Sequence, residues 1–327
     1  MNILGIESSC DDTSASILTD EGVKSNVIAS QSIHIKYGGV VPELASRAHQ
    51  KTISITVDQA LEEAGSLIED IDLIAVTQGP GLMGSLLVGL CFAKGVSLSK
   101  NIPIVGVNHM DAHIYANFID EAPAFPFVCL TVSGGHTQLV LVKAPFEHQI
   151  LGKTRDDAAG EAFDKIGKIM GLPYPAGPEI DRLSKSGDPK FHRFPQALVK
   201  EGLDFSFSGL KTSALYFLQE KSEDWIKEHL NDLSASISEA ITEVLIKKLK
   251  KAVQQTGVTT ITIAGGVSAN SMLRLKAEKM AAELKLNLHI PHITYCTDNA
   301  AMIAVTGKMK YETGKIDDLS MRPFASL

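Results

Sequence analysis

Apolar residues in this chain fall into short continuous runs and longer periodic ones. Residues 2–7, 71–77, 102–107, 127–132 and 259–264 are nearly unbroken apolar stretches, the pattern of strands buried on both faces. Residues 14–18, 23–30 and 138–142 follow turn-forming residues and read as hairpin strands. Helical periodicity runs from Pro42, which suits a helix start, to Glu63, then through the segment ending at Ser99, over residues 230–255 and over about 269–283. A helix is also expected from His109, directly after the strand at 102–107.

The order of these elements repeats. Strand, small polar turn, strand, helix, strand, glycines, helix occurs first over residues 2–99 and again from Phe127 onward. Strand–helix–strand–helix order predicts parallel crossovers laid on antiparallel hairpins, hence a mixed sheet in each half of a duplicated α/β chain. We place one lobe at residues 1–125 with a C-terminal helix from 300–327, and the other at 126–299. Residues 152–216 fit neither repeat. Helical patterns there, broken by Pro173, Pro175, Pro178 and Pro189, read as an insertion covering the cleft of the second half. The Lys247-Lys248-Leu249-Lys250-Lys251 run near the end of the long helix reads as a solvated face that complements the helix dipole.

Composition narrows the function classes. With 327 residues, 44% hydrophobic and 21% charged, the chain can build a large core. A net charge of −7 provides no general attraction for nucleic acid, so RNA contact requires a local basic patch or a basic partner. Arg155, Arg182, Lys190 and Arg193 are candidates for such a patch. Cys10, Cys91, Cys129 and Cys296 form no C-x-x-C pair and suggest neither a zinc ribbon nor a disulfide framework. No secretory pattern opens the chain, and the apolar stretch 82–98 is interrupted by Lys94 and three glycines. A cytoplasmic protein is expected.

Candidate chemistry lies at the strand ends. His109 and His113 stand four apart, so on a helix both rings share one face within reach of one metal ion. Spacing alone suits two partly buried imidazoles bonded to backbone carbonyls better, because such pairs are common by accident. Asp298 is either the cap of the last helix or a third ligand, completing a set that suits iron(II), zinc or manganese. Asp11 and Asp12 at the first turn either satisfy their own backbone or hold a cation or water beside a phosphate. Gly134-Gly135 and Gly265-Gly266 each follow a second-half strand, where backbone amides can approach phosphate unobstructed. Their spacing is neither a dinucleotide fingerprint nor a P-loop. Asp164 lies on an otherwise apolar helical face, where a buried carboxylate needs a partner such as a ligand hydroxyl pair; a surface helix position is the other reading.

Several ordered motifs carry a resemblance. They are Gly5-Ile6-Glu7-Ser8-Ser9-Cys10-Asp11, residues 38–47, the His109/His113 pair and Val132-Ser133-Gly134-Gly135-His136-Thr137. Residues 160–165, Phe205-Ser206-Phe207-Ser208-Gly209-Leu210-Lys211-Thr212 and Gly265-Gly266-Val267-Ser268-Ala269-Asn270 follow. Together they resemble the bacterial tRNA adenosine threonylcarbamoyltransferases, the TsaD family, from Asn2 to about Arg322. Ser8 and Asp12 stand where that family usually has Thr and Glu.

The resemblance implies a duplicated actin-like and sugar-kinase-like fold (ASKHA), two lobes of mixed sheet and helices around a nucleotide cleft. It implies transfer of threonylcarbamoyl from threonylcarbamoyl-adenylate to the N6 amine of adenosine 37 in tRNAs reading ANN codons. By the same resemblance His109, His113 and Asp298 hold one divalent metal per chain, iron(II) first, with zinc or magnesium as alternatives. Thr131, Val132, Ser133, Gly134, Gly135, Asp164, Gly177, Asp181, Gly265, Gly266 and Asn270 would bind the adenylate. The implied partners are tRNA, a paralogous TsaB-like subunit and a TsaE-like ATPase, with no membrane.

The expected chemistry is nucleophilic acyl transfer, with His136 and Asp11 as the candidate catalytic side chains. A phosphotransferase of the same fold, a metalloprotease and a non-catalytic nucleotide-binding scaffold are the rival readings. The protease reading lacks the glutamate that a zincin helix carries directly after its first histidine, since Met110 stands there.

Overall fold

The computed structural model describes residues 1–198 and 201–325. They form two compact units, one of residues 1–122 with 297–325 and one of the described residues between 123 and 296. The first unit opens with β1 (Ile3–Glu7), β2 (Asp12–Thr19) and β3 (Gly22–Ser30), followed by α1 (Pro42–Ala64), β4 (Leu73–Gly79), α2 (Met83–Lys100), β5 (Ile104–Asn108) and α3 (His109–Tyr115). The second holds β6 (Phe127–Val132), β7 (Thr137–Ala144), β8 (Glu147–Lys153), α4 (Ala159–Ile169), α5 (Gly177–Ser184) and α6 (Ser208–Gln219). It continues through α7 (Glu223–Glu228), α8 (Leu230–Thr256), β9 (Thr260–Ala264), α9 (Ser271–Leu284) and β10 (Asn287–His289). The chain then returns to the first unit, which α10 (Ala300–Glu312) completes.

The two sheets repeat one plan. Their strand orders are β3-β2-β1-β4-β5 and β8-β7-β6-β9-β10, with antiparallel hairpins on one side and parallel crossovers on the other. Every residue of β1 is buried because β2 and β4 flank it and helices cover both faces. Leu4 and Ile6 join Ile53, Val57 and Leu90 on one face, while Ile3 joins Met302 and Ile303 on the other. Gly5 shares the second face, where a Cβ would collide with Ala300 and Ala304, so α10 can lie directly against the strand. In the second unit α4, α5, α6 and α8 share one core through Phe163, Ile166, Ile180, Leu210, Ile237 and Ile241. Among the described residues, no helix is long and apolar enough to cross a membrane.

Two features differ from the sequence reading. The strands β8 and β10 were not anticipated: only Gly152 of β8 is buried and β10 has three residues, so neither edge strand carries an apolar signature. The lysine run on α8 is also not a solvated face throughout. Lys247 is exposed, but Lys248 is fully buried and donates to the carbonyls of Leu198, Glu201 and Gly202. Burial lowers its pKa. The run stops more than a turn before Thr256, outside the stretch where the helix dipole acts. A helix with a core on nearly all sides simply has no free face at that position.

Lys248→Met should lower the stability of the protein by about 1–3 kcal/mol, because the carbonyls it binds lose their donor. Chemical denaturation checks this; an unchanged midpoint would show that water replaces the ammonium without loss.

Candidate functional site

The histidine pair is built by a strand-to-helix junction. Asn108 ends β5 and caps α3, its side chain accepting from the backbone N–H groups of Met110 at 2.8 Å and Asp111 at 3.2 Å. Helix therefore begins at His109, and His113 follows one turn later on the same face. Their ring centroids lie 4.7 Å apart with planes 80° from parallel. Neither ring is bonded to a backbone carbonyl in the way the structural reading of the pair required.

Asp298 completes the group. The cap of α10 is Asn299, whose side chain accepts from the Met302 N–H at 3.0 Å, so the capping role considered for Asp298 falls to its neighbour. The Asp298 carboxylate faces the rings instead, with Oδ1 3.2 Å from His113 Nε2 and 3.6 Å from His109 Nε2. The sequence division at residue 299 put Asp298 with the second half. The first unit resumes at Thr297, because α10 packs on β1, and this brings the aspartate to the histidines.

One ligand atom from each of His109, His113 and Asp298 lies within 4.8 Å of the others. His113 is 1% exposed, yet neither of its ring nitrogens makes a hydrogen bond. Buried polar atoms are rarely left this way, and an imidazole nitrogen aimed at a carboxylate beside a second imidazole is a donor set that suits a divalent cation. The residues present fit a metal. Two imidazoles match iron(II) or zinc better than magnesium, which prefers oxygen.

Acidic groups crowd this site. Glu7, at the end of β1, is fully buried and lies 3.1 Å from His109 Nδ1. Burial opposes charge on His109, but Glu7 and then Asp298 outweigh it and raise the imidazole to about 9. Asp12 is pushed up to about 6, chiefly by burial and further by Asp298, Asp11 and Glu7, against a hydrogen bond from Ser30. Asp11 is half-buried in the same β1–β2 turn. His49 of α1 is buried and bonded to Thr13 Oγ1 at 2.7 Å and the Cys10 carbonyl at 2.9 Å. It ties α1 to that turn.

The second unit gathers the other sequence-predicted residues around the ends of β6 and β9. Thr131 pairs with Ala264, and Val132 ends its strand buried. Ser133, Gly134, Gly135 and His136 then form a turn closed by the Ser133 N–H donating to the His136 carbonyl at 2.8 Å; the glycines and His136 are exposed. Gly265 has φ +87°, and a Cβ there would strike the Val132 carbonyl, so the two glycine turns are neighbours. Gly266 opens the short 3-10 turn that leads to Asn270, the cap of α9. Asp181 Oδ1 accepts from the Ser271 N–H at 2.8 Å and Oγ at 2.7 Å. Asp164 Oδ1 accepts from Ala176 N–H at 2.7 Å and Gly177 N–H at 3.3 Å, and burial raises its pKa despite these bonds. Both carboxylates thus also hold the loops around them.

Comparison with known proteins follows this geometry. Residues 22–305 match the sequence model of the family TsaD, tRNA N6-adenosine threonylcarbamoyltransferase. The chain belongs to that family. A Riemerella anatipestifer protein named tRNA N6-adenosine threonylcarbamoyltransferase is 53% identical over 325 residues, 97% of this chain and 95% of that protein. One of the same name from Porphyromonas gingivalis is 49% identical over 334 residues, 99% and 98% of the two chains. The chain is accordingly an enzyme, a tRNA-modifying transferase.

Solved structures establish the fold. Full-length HypF superposes with a TM-score of 0.62 at 10% identity, covering 95% of this chain and 46% of that one. The Acidaminococcus fermentans (R)-2-hydroxyglutaryl-CoA dehydratase component A gives 0.57 at 13%, covering 96% and 100%. The ROK hexokinase of Thermus thermophilus gives 0.52 at 14%, with the same coverage of 96% and 100%. The architecture is the duplicated actin-like, sugar-kinase-like fold.

The sequence reading left Glu7 without a role, and likewise Thr77, whose Oγ1 donates to Glu7 Oε2 at 2.7 Å. The signal for Glu7 was a carboxylate closing an otherwise apolar strand; nothing marked Thr77.

Gly265→Ala should destabilise the protein by at least about 1 kcal/mol, through the positive φ and the contact with Val132. Gly135→Ala meets open space and should change stability by less than about 0.5 kcal/mol. Equal effects in a denaturation series would contradict this difference between the two turns.

Proposed function

We propose that this transferase takes threonylcarbamoyl from threonylcarbamoyl-adenylate and delivers it to N6 of adenosine 37 in tRNAs that read ANN codons, with a divalent metal at His109, His113 and Asp298. The observation that carries the metal part is His113, a buried ring with no hydrogen bond on either nitrogen, facing Asp298. A metal held there supplies Lewis-acid polarisation of a carbonyl or phosphate oxygen. Iron(II) is the proposed ion, and zinc the main alternative.

In this reading the N6 amine attacks the carbamoyl carbon. The new C–N bond forms, the C–O bond to the phosphate breaks, and AMP departs with the electron pair as a phosphate oxyanion. The amine proton passes to solvent. The exposed Gly134-Gly135 amides and His136 stabilise negative charge on the acyl-phosphate end. Thr131 to Ser133, Asp164, Gly177, Asp181, Gly265, Gly266 and Asn270 hold the adenylate, and Asp11 orients the polar groups of the donor. Because AMP is a good leaving group, positioning the tRNA amine supplies much of the rate.

For tRNA, the four expected basic residues are all exposed. Arg155 is paired with Asp204 at 3.0 Å and Arg182 with Glu179 at 2.6 Å, which reduces their outward field. Among the described residues no ion pair is recorded for Lys190 or Arg193, so these are the stronger phosphate contacts. With a net charge of −7, a TsaB-like subunit and a TsaE-like ATPase are proposed as partners that share the task.

Incubation with threonylcarbamoyl-adenylate, unmodified ANN-reading tRNA and the paralogous partner should yield threonylcarbamoyladenosine on nucleoside mass spectrometry. No product under conditions that activate a relative would sink the proposal. His113→Ala should lose bound metal and reduce product at least about 100-fold, the scale of removing a main transition-state contact; full product without metal would refute the metal role alone. Lys190→Glu with Arg193→Glu should weaken tRNA binding and flatten its salt dependence by about 0.9 per lost phosphate contact. Unchanged binding at every salt concentration would move the tRNA surface elsewhere.

A further inference from the structure

We propose that Glu7 is a positioning residue for the metal centre: it fixes His109 with the proton on Nδ1 and turns the Nε2 lone pair toward the ion. The inference rests on the metal reading given above and adds a residue that binds nothing in the substrate.

Glu7 is 0% exposed at the end of a strand whose every residue is buried. A carboxylate in such a place persists as an anion only when donors surround it. Glu7 has three: the Ser9 N–H on Oε1, and Thr77 Oγ1 at 2.7 Å and His109 Nδ1 at 3.1 Å on Oε2. An ionised carboxylate only accepts, so the shared proton belongs to Nδ1. Ser9 Oγ, 3.2 Å from the same nitrogen, takes a second share of that N–H. With Nδ1 turned to Glu7, the nitrogen left to bind an ion is Nε2, the atom 3.6 Å from Asp298 Oδ1. A carboxylate behind a ligating imidazole is the arrangement that holds the tautomer and raises ligand basicity.

The register of the sheet sets this geometry. β1 and β4 run parallel with Ile6 opposite Val76, and β4 and β5 run parallel with Thr77 opposite Val107. Glu7, Thr77 and the start of α3 therefore arrive side by side. His113 has no equivalent support, because neither of its nitrogens is hydrogen-bonded. The pair is asymmetric: His109 is held before metal arrives, whereas the tautomer of His113 has no such anchor.

The test is a cobalt(II) titration of the full-length, metal-stripped protein at fixed pH, read by the ligand-field absorption band. Glu7→Gln keeps the side-chain size but removes the charge and sets an amide among donors; it should weaken cobalt affinity 10- to 100-fold and shift the band. Thr77→Val should weaken affinity less, and Thr77→Ser should restore it. A merely structural Glu7 would lower the melting temperature of the metal-free protein while leaving cobalt affinity and band of the folded protein unchanged, and that result overturns the proposal. If Glu7→Gln does not fold, Thr77→Val decides, and wild-type affinity with a wild-type band overturns it equally. Absence of cobalt binding by the wild type, or unaltered binding by His113→Ala, overturns the metal centre itself and the Glu7 role with it.

Discussion

Parallel pairing is the constraint from which the site geometry in each unit follows. In the first unit β1, β4 and β5 lie side by side in one direction, so their carboxyl ends share an edge. Glu7, Thr77 and Asn108 occupy that edge, and the helix that Asn108 caps presents both histidines from it. In the second unit β6 and β9 do the same, placing the Ser133–His136 turn beside Gly265. Open α/β sheets concentrate ligand chemistry at such edges because the strands stop there while their backbone groups and following helices converge.

Burial gives the first of these edges its electrostatic character. Glu7 would be intolerable among the apolar residues of β1 without donors, and its neighbours supply them. The same low-dielectric setting raises both His109 and Asp12, one through carboxylate neighbours and the other mainly through desolvation. A site crowded with carboxylates favours a positive occupant, and the donor set of two imidazoles and a carboxylate selects among such occupants. The second unit differs: its Gly134-Gly135 turn is exposed, and Asn270 and Asp181 bond the first turn of α9.

Much of this was legible in the chain. The continuous apolar runs marked the central strands because a strand buried on both faces has no polar face to interrupt the pattern. The i, i+4 histidines after a strand announced a shared helical face, and the repeated order of elements announced the duplication. Edge strands β8 and β10 were not legible, since half-exposed or very short strands lack a hydrophobic signature. Lys248 was misread for a related reason. Charge runs are usually solvated, and nothing local showed that a loop far back in the chain would bring carbonyls to one of these lysines.

By itself, then, the sequence determined which segments fold locally, that the unit occurs twice, and, through ordered motifs, the family. Periodicity and capping are near-neighbour physics and need no knowledge of distant residues. Tertiary structure decided what depends on convergence: whether Asp298 reaches the histidines, and whether the charge on Glu7 is stranded or shared. The His109–Glu7 and His113–Asp298 approaches join positions more than a hundred residues apart, and only the packing of α10 and the parallel register bring them within a few ångströms.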